Sequence, residues 1–435
     1  MSFTQGLSGL NAASKNLEVV GNNVANANTV GFKGSQAQFG DVFAAALTGS
    51  GAATIGIGAK LETVAQQFTQ GNISITNNSL DMAINGAGFF NLRGAAGGDV
   101  YTRNGQFQLD KGGYIVSSAG HRLQGYPPGA SAIAGNGTQD LQIPTASMPA
   151  TASTSVIVGL NLDSTAPVIP VATLFDPNIS TTYTNATSTT GFDSQGNPLS
   201  VTMYFKKEAP NQWAVYGTVK DQTGAMISPL PATVPPTPAT TWLASAGYLG
   251  QLNFNSTGTG GSATPLPVGG ISFTPTSFVN AVPVPVPATQ SLIFDFTTAT
   301  QFAAPFGVTA LTTDGNKQGT LAGFSVSPDG SIVGRYSNGK TQTLGTVAVT
   351  TFANMNGLQP LGDNEWVETG ASGQALKGTP GTGLRGILQT SSVEDSNVDL
   401  TAELVNMITA QRVYQANAQT IKTQDAVMQT LINLR

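Results

Sequence analysis

The chain has 435 residues, of which only 9% are charged, against roughly 25% in an ordinary soluble protein. Its 18 Lys and Arg against 23 Asp and Glu leave a formal charge of -5, and no basic run is placed to follow a phosphate backbone, so nucleic acid is not an expected partner. Cys is absent and His occurs once, at His121, which removes disulfides, thiolate chemistry and the usual zinc ligand sets; no cofactor or metal is expected.

The first predicted element is an amphipathic helix. Phe3, Leu7, Leu10, Ser14, Leu17, Gly21 and Val24 recur at alternating steps of four and three, the spacing of a coiled-coil seam. The opening MSFTQGLSGL lacks a basic region ahead of an apolar core, and no stretch of the chain reaches the roughly 18 to 20 apolar residues of a membrane span, so neither a cleavable signal nor membrane insertion is expected. The helix runs out in GNNVANANTVGFK, residues 21–33. There Asn22, Asn23, Asn26 and Asn28 supply amides for backbone groups freed at a helix end, and Gly31 supplies a reversal. Gly21 weakens the helix and predicts that it bends or ends early.

From Gly31 to about Gly71 the chain is small and punctuated by Gly, with a short apolar cluster at Val42, Phe43 and Leu47. This predicts an extended connector with a helical turn or two, ordered only against something else. Between Asn72 and Pro127 short strands alternate with turn dipeptides. Gly88–Arg93 is an apolar strand, Asn104-Gly105 a turn favouring positive φ, and Gly112-Gly113 a reversal into Tyr114, Ile115 and Val116, which together predict a β-meander. The same texture returns around the Asp329-Gly330 and Asn338-Gly339 turns, so the simplest account is one β-domain made of two distant halves.

Between them lies a Pro-, Thr- and Ala-rich segment with few charges. Leu199, Val201, Met203 and Phe205 alternate on one face and Trp213, Val215 and Val219 on another, with KKEAPN as the hairpin between them, and Ser291–Thr297 is a further strand. Pro-rich stretches such as PLPATVPPTPATT are expected as loops or edges.

The last predicted element is a long helix with its own stripe, Leu400, Leu404, Met407, Gln411, Tyr414, Ala418, Ile421, Asp425, Met428 and Ile432. Glu394, Asp395 and Asp399 precede it, where negative charge suits the helix dipole and Asp399 or Asn397 suits the N-cap. Polar residues such as Gln411, Arg412, Asn417 and Asp425 interrupt its surface. Two helices side by side cover only part of each other, so the remaining apolar surface is expected to meet other copies of the chain.

The fold class expected is mainly β with α-helical termini and nested domains: a coiled-coil-like inner domain from residues 1–30 and 396–435, a connector at 31–71, a β-domain in two halves at 72–144 and 306–395, and an outer β-domain inserted at 145–305. No enzymatic site can be assembled. The Gly378–Arg385 run has the G-x-x-x-x-G spacing of a phosphate loop but continues with Leu384 and Arg385 where Lys and Ser or Thr are needed. Gly86 and Gly88 precede a strand rather than open a helix, which contradicts a dinucleotide fingerprint, and His121, for which a His/Ser/Asp triad is arithmetically possible, sits in AGHRLQGY beside a strand and is expected in a surface or packing role.

The block GNNVANANTVGFK resembles the N-terminal signature of the bacterial flagellar rod and hook family, with Asn22, Asn23, Ala25, Asn26, Thr29, Gly31, Phe32 and Lys33 on the pattern and Gly21 a departure from its usual Ala. Residues 79–90, 101–110, 352–358 and 396–421 are similar to further blocks of that family in the same order. The resemblance implies a structural subunit of a helical polymer whose terminal helices form the inner wall of a tube. The length and the 145–305 insertion look like the hook-type members, which transmit torque from rod to filament as a flexible joint; a distal-rod role and, from another class, a secreted β-rich adhesin are the alternatives. It also implies an extracellular place in the flagellum, export through the flagellar apparatus, and as partners other copies, the rod, the hook–filament junction, the hook cap and the export machinery. The expected subunit-interface residues are Phe3, Leu7, Leu10, Leu17, Val24, Leu400, Leu404, Met407, Gln411, Tyr414, Ala418, Ile421, Met428 and Ile432.

Overall fold

The structure is a computed structural model that describes all residues except 1, 43–55, 57, 95–96, 130–136, 145, 223, 225, 229–246, 260–261, 265–267, 274–275, 280–281, 286–289 and 434–435. The expectations for Phe43 and Leu47 and for the Pro-rich run at 229–241 lie outside the described residues. The chain divides into two compact units. The first comprises 1–145, 323–335 and 341–435, and the second 146–322 and 336–340.

In the first unit α1 spans Ser2–Ala25 and α2 spans Leu400–Asn433. Gly21 does not end or interrupt α1, which continues to Ala25 and closes when the Asn26 amide reaches back to Asn22 O and Asn23 O at 3.1 and 3.2 Å. Asp399 caps α2 as expected, accepting from Thr401 N at 2.8 Å and Ala402 N at 3.1 Å. An acidic N-cap both satisfies orphan amides and complements the dipole.

The connector differs from expectation. Its described part forms an antiparallel hairpin, β1 (Ser35–Val42) with β2 (Gly58–Gln66), paired from Ser35↔Gln66 to Val42↔Gly58. An isolated two-stranded hairpin is marginal in water, and this one lies on α1, where Ser8 Oγ accepts from Ala59 N at 3.3 Å and Gln5 Nε2 donates to Gly56 O at 2.6 Å.

Two short ladders then join the halves of the β-domain. β3 (Ile73–Ile75) pairs antiparallel with Ser392–Glu394, and β4 (Met82–Asn85) with Ile387–Thr390. The larger sheet takes β5 (Phe89–Arg93), β6 (Asp99–Thr102), β7 (Phe107–Leu109), β8 (Ile115–Ser117) and β9 (Arg122–Tyr126), and its main path runs Leu321–Val326, Ser331–Tyr336, Thr341–Val347, β9, β5, β6, Glu365–Val367, Gln359–Gly362. Phe89, Tyr101, Leu358 and Trp366 form a buried cluster, extended by Phe68 and Phe352 through edge-to-face contacts at 4.8 to 5.9 Å. The Asn104-Gly105 pair is not the positive-φ turn expected. Gly105 is required because a Cβ there would stand 1.6 Å from Met82 O, whose own amide bonds Gly105 O at 2.9 Å.

The second unit packs two sheets face to face. One holds Asn185–Phe192, Pro198–Ala209, Gln212–Lys220 and Tyr248–Asn253; the other places Ser155–Asp163 between strands that include Gln290–Asp295 and Gly307–Thr313. Leu199, Val201, Met203, Phe205, Trp213, Val215 and Val219 face one shared core rather than two, together with Val156, Val158, Leu292 and Phe294. KKEAPN is not all turn: Lys206, Lys207 and Glu208 belong to the strand and are buried, and the reversal is carried by Pro210 and Asn211 at φ 62°. Each lysine is satisfied by carbonyls, Lys206 Nζ by Thr173 O at 2.9 Å and Lys207 Nζ by Ser164 O at 2.6 Å, as buried ammonium groups require.

Candidate assembly interface

The two terminal helices pack together, and the buried face of α1 lies beside its apolar stripe. On α1 the buried positions are Gly6, Ala13, Val20 and Asn23, displaced by one residue from the stripe, or roughly 100° around the helix. A Cβ on Gly6 would meet Ile421 Cγ1 at 3.1 Å, and one on Gly9 would meet the Asn417 side chain at 2.7 Å. Small residues thus let α2 approach closely, while the stripe turns away. Phe3 and Leu7 are 50% and 44% exposed, and Leu10, Leu17 and Val24 are half-buried.

On α2, Met407, Ala418 and Ile421 of the expected set are half-buried, whereas Leu400, Leu404, Gln411, Tyr414, Met428 and Ile432 are exposed. Val405, Ile408, Val413 and Val427 are also exposed, and the stripe had not included them. Placed at 100° per residue, Leu400, Leu404, Ile408, Val405 and Val427 spread over about half of the helix circumference. Asn417, seen in sequence only as an interruption, sits in the α1–α2 contact. A groove of about 800 Å³ between α1, α2 and β1 is lined by both amides and apolar groups, among them Asn16, Val20, Phe39, Asn406 and Val413.

Behind this surface the signature residues act as joints. Asn23, 2% exposed, pairs with both backbone groups of Ser35, donating from Nδ2 to Ser35 O at 2.8 Å and accepting from Ser35 N at 2.9 Å. Asn26 Nδ2 donates to Asn22 O at 3.0 Å and Asn26 Oδ1 accepts from Thr29 Oγ1 at 3.2 Å. Gly31 takes φ 73°, and a Cβ there would lie 2.6 Å from Asn104 N. Phe32 is half-buried, and Asn22, Ala25 and Asn28 are exposed. On the C-terminal side Asn397 is not the cap; its Oδ1 accepts from Gly34 N at 2.8 Å and its Nδ2 donates to Gln67 O at 2.7 Å.

Lys33 is the deepest of these. Its Nζ lies 2.6 Å from Glu394 Oε1 and 2.7 Å from Thr69 O, while Arg103 Nη1 lies 3.0 Å from Glu394 Oε2. All three side chains are buried. Burial pushes the Lys33 ammonium below its ordinary range, with Glu394 opposing the shift; burial acts on Arg103 in the same direction. A guanidinium keeps its proton in proteins, so the strain of a buried positive excess falls on Lys33. The sequence shows Glu394 only as one of three acids before a helix, and Arg103 only as part of a strand-to-turn block; neither carries a local signal of this cluster.

The remaining candidates are structural. His121 Nδ1 is 2.9 Å from Glu365 Oε1, and Arg385 folds back on its own loop with Nη2 donating to Thr382 Oγ1 at 3.0 Å. Among the described residues no helix is long and apolar enough to cross a membrane.

Comparison with known proteins matches the chain in four consecutive parts. Residues 5–33 match the flagella basal body rod protein model, 83–160 the flagellar hook protein FlgE/F/G D1 domain, 161–316 the flagellar basal body protein FlaE D2 domain, and 389–434 the flagellar basal body rod FlgEFG protein C-terminal model. The chain is 40% identical over 441 residues to the flagellar hook protein FlgE of Escherichia coli (strain K12), covering all of both chains. It is 30% identical over 442 residues to that of Rhizobium meliloti (strain 1021), covering 99% of this chain and 98% of the relative. The crystal structure of Helicobacter pylori flagellar hook protein FlgE2 shares the fold at TM-score 0.53 and 12% identity, over 74% of this chain and all of that one.

Proposed function

The chain belongs to the flagellar hook protein family, and on that premise we propose that it polymerises through the exposed faces of α1 and α2 into the inner wall of the hook. One observation carries this reading: the two helices approach closely where Gly6 and Gly9 face Ile421 and Asn417, and leave Phe3, Leu7, Leu404, Val405, Ile408 and Met428 to solvent. Apolar surface of that extent on a soluble chain marks a binding face. A face that wraps about half of α2 suits several neighbours at once, as a closed tube wall requires.

The second unit, with its own apolar core and few fixed charges, then makes weak lateral contacts with its copies while the helical wall holds. Exposed ion pairs contribute little individually, and an uncharged surface has few to break when neighbours shift during bending and torque transmission. Rod, junction and cap proteins are the further partners this reading calls for, with an extracellular location and export by the flagellar apparatus. Its role is structural and not catalytic.

The test is removal of residues 1–30 and 396–435 together, followed by sedimentation and electron microscopy under polymer-promoting conditions. The expected result is loss of all tubular polymer with the β-units still folded by circular dichroism. Polymers of normal diameter from the truncated chain would overturn it.

A further inference from the structure

We propose that Glu394 is a single-carboxylate lock: by dividing its two oxygens between Lys33 and Arg103 it fastens the segment after α1 and the segment before α2 to the β-domain, and its charge decides whether the terminal helices are attached. This goes beyond assembly, because it concerns the isolated chain.

The geometry is that of a keystone. Glu394 Oε1 accepts from Lys33 Nζ at 2.6 Å and from Gly71 N at 2.9 Å, Oε2 accepts from Arg103 Nη1 at 3.0 Å, and its backbone oxygen accepts from Gly31 N at 2.8 Å. One residue therefore binds the signature loop, the segment between β2 and β3 and the turn after β6. Arg103 extends the hold into β4 and its turn, donating from Nη1 to Ile84 O at 3.3 Å and from Nη2 to Gly86 O at 2.9 Å.

The charges do not balance. Two buried cations share one buried carboxylate, with side-chain exposures of 1%, 3% and 0% for Lys33, Arg103 and Glu394. The neighbouring acids are engaged elsewhere, Asp395 with Ser74 Oγ at 3.0 Å and Asp81 with Asn78 Nδ2 at 3.0 Å. Arg103 Nε has no partner. Removing one member of a buried pair is most damaging when it strands charge, so the three residues are not equivalent. Without Glu394 two cations are stranded. Without Lys33 a neutral Arg103–Glu394 pair remains.

The experiment is hydrogen exchange on the full-length monomer, read in peptides covering 31–35, 69–73 and 392–399, and separately in 198–220 of the second unit. Glu394→Gln is expected to speed exchange in the first three by about tenfold or more while 198–220 is unchanged. Lys33→Met is expected to change it less than roughly threefold. The double variant Glu394→Gln with Lys33→Met strands one cation instead of two, so it should recover part of the protection lost in Glu394→Gln alone. Equal loosening by Lys33→Met and Glu394→Gln overturns the proposal. So does wild-type exchange in Glu394→Gln, loosening that extends to 198–220, or a double variant no more protected than Glu394→Gln.

Discussion

The second unit and the terminal helices solve the problem of cohesion in opposite ways. The second unit closes a core in which Trp213, Phe205, Val215, Leu292 and Phe294 are fully buried, so its stability is its own. Among the described apolar residues of the helices only Ala13, Val20 and Ala410 are buried, and the helices are fixed by amides, a cap and one ion cluster. At roughly 25 cal/mol per Å² of apolar surface, the helices gain little within one chain. They are built to be finished by something else, whereas the sandwich is complete.

The comparison breaks most visibly at Trp213. Trp213→Ala should remove about 3–5 kcal/mol from the second unit, partly through the cavity and partly through the lost bond from Nε1 to Gln301 Oε1 at 3.1 Å. Urea titration followed by intrinsic fluorescence reads this, with amide exchange in α1 and α2 unchanged if the units are as independent as their cores imply.

Asn23→Ala should weaken the other side by about 1–2 kcal/mol, since it leaves both backbone groups of the half-buried Ser35 without their side-chain partner. Helical ellipticity should then melt earlier while the second unit keeps its transition. The pH dependence sharpens the contrast further. Burial holds the Lys33 proton affinity below its ordinary value of 10.5, so over the interval just beneath that value the unfolded chain binds more protons than the folded one, and the helix attachment should strengthen as pH rises. Urea midpoints of the helical signal at about pH 8 and pH 10 should show this slope, and Lys33→Met should flatten it.

The smallest effect on the monomer is the most telling. Leu404→Ser and Ile408→Ser should change monomer stability by no more than about 0.5 kcal/mol, because both side chains face water, yet each should raise the concentration needed for polymerisation. A monomer melting several degrees lower would place these residues in an internal core.

Much of this was legible in the sequence. Both helices, the nested return of the β-texture and the Asp399 cap follow from periodicity and turn chemistry. The stripes identified helices that carry apolar surface, but the close approach at Gly6, Gly9 and Asn417 was not legible, because these residues have no hydrophobic signal. The β1–β2 hairpin was hidden for the same reason: Ser35–Val42 reads SQAQFGDV, with too little alternation to declare a strand. Lys206 and Lys207 looked like a solvated turn because charge in a sequence says nothing of the carbonyls that will surround it. The Lys33–Arg103–Glu394 cluster joins residues up to 361 positions apart, a separation over which no local pattern operates.

The three-residue ladder between β3 and Ser392–Glu394 has a mechanical meaning. Its strands run antiparallel, with Asp395 N bonded to Asn72 O at 2.8 Å at one end and Thr76 N to Ser391 O at 2.8 Å at the other, so the arms leading to both helices leave from the same end. A pull that draws both arms together along the strands passes through the two backbones without sliding one strand on the other; one that spreads them apart opens the ladder bond by bond, as a zipper. The joint is therefore stiff against axial tension and yielding to splay, and the cross-links from Asn397 to Gly34 and Gln67 brace it in the direction where it is weak.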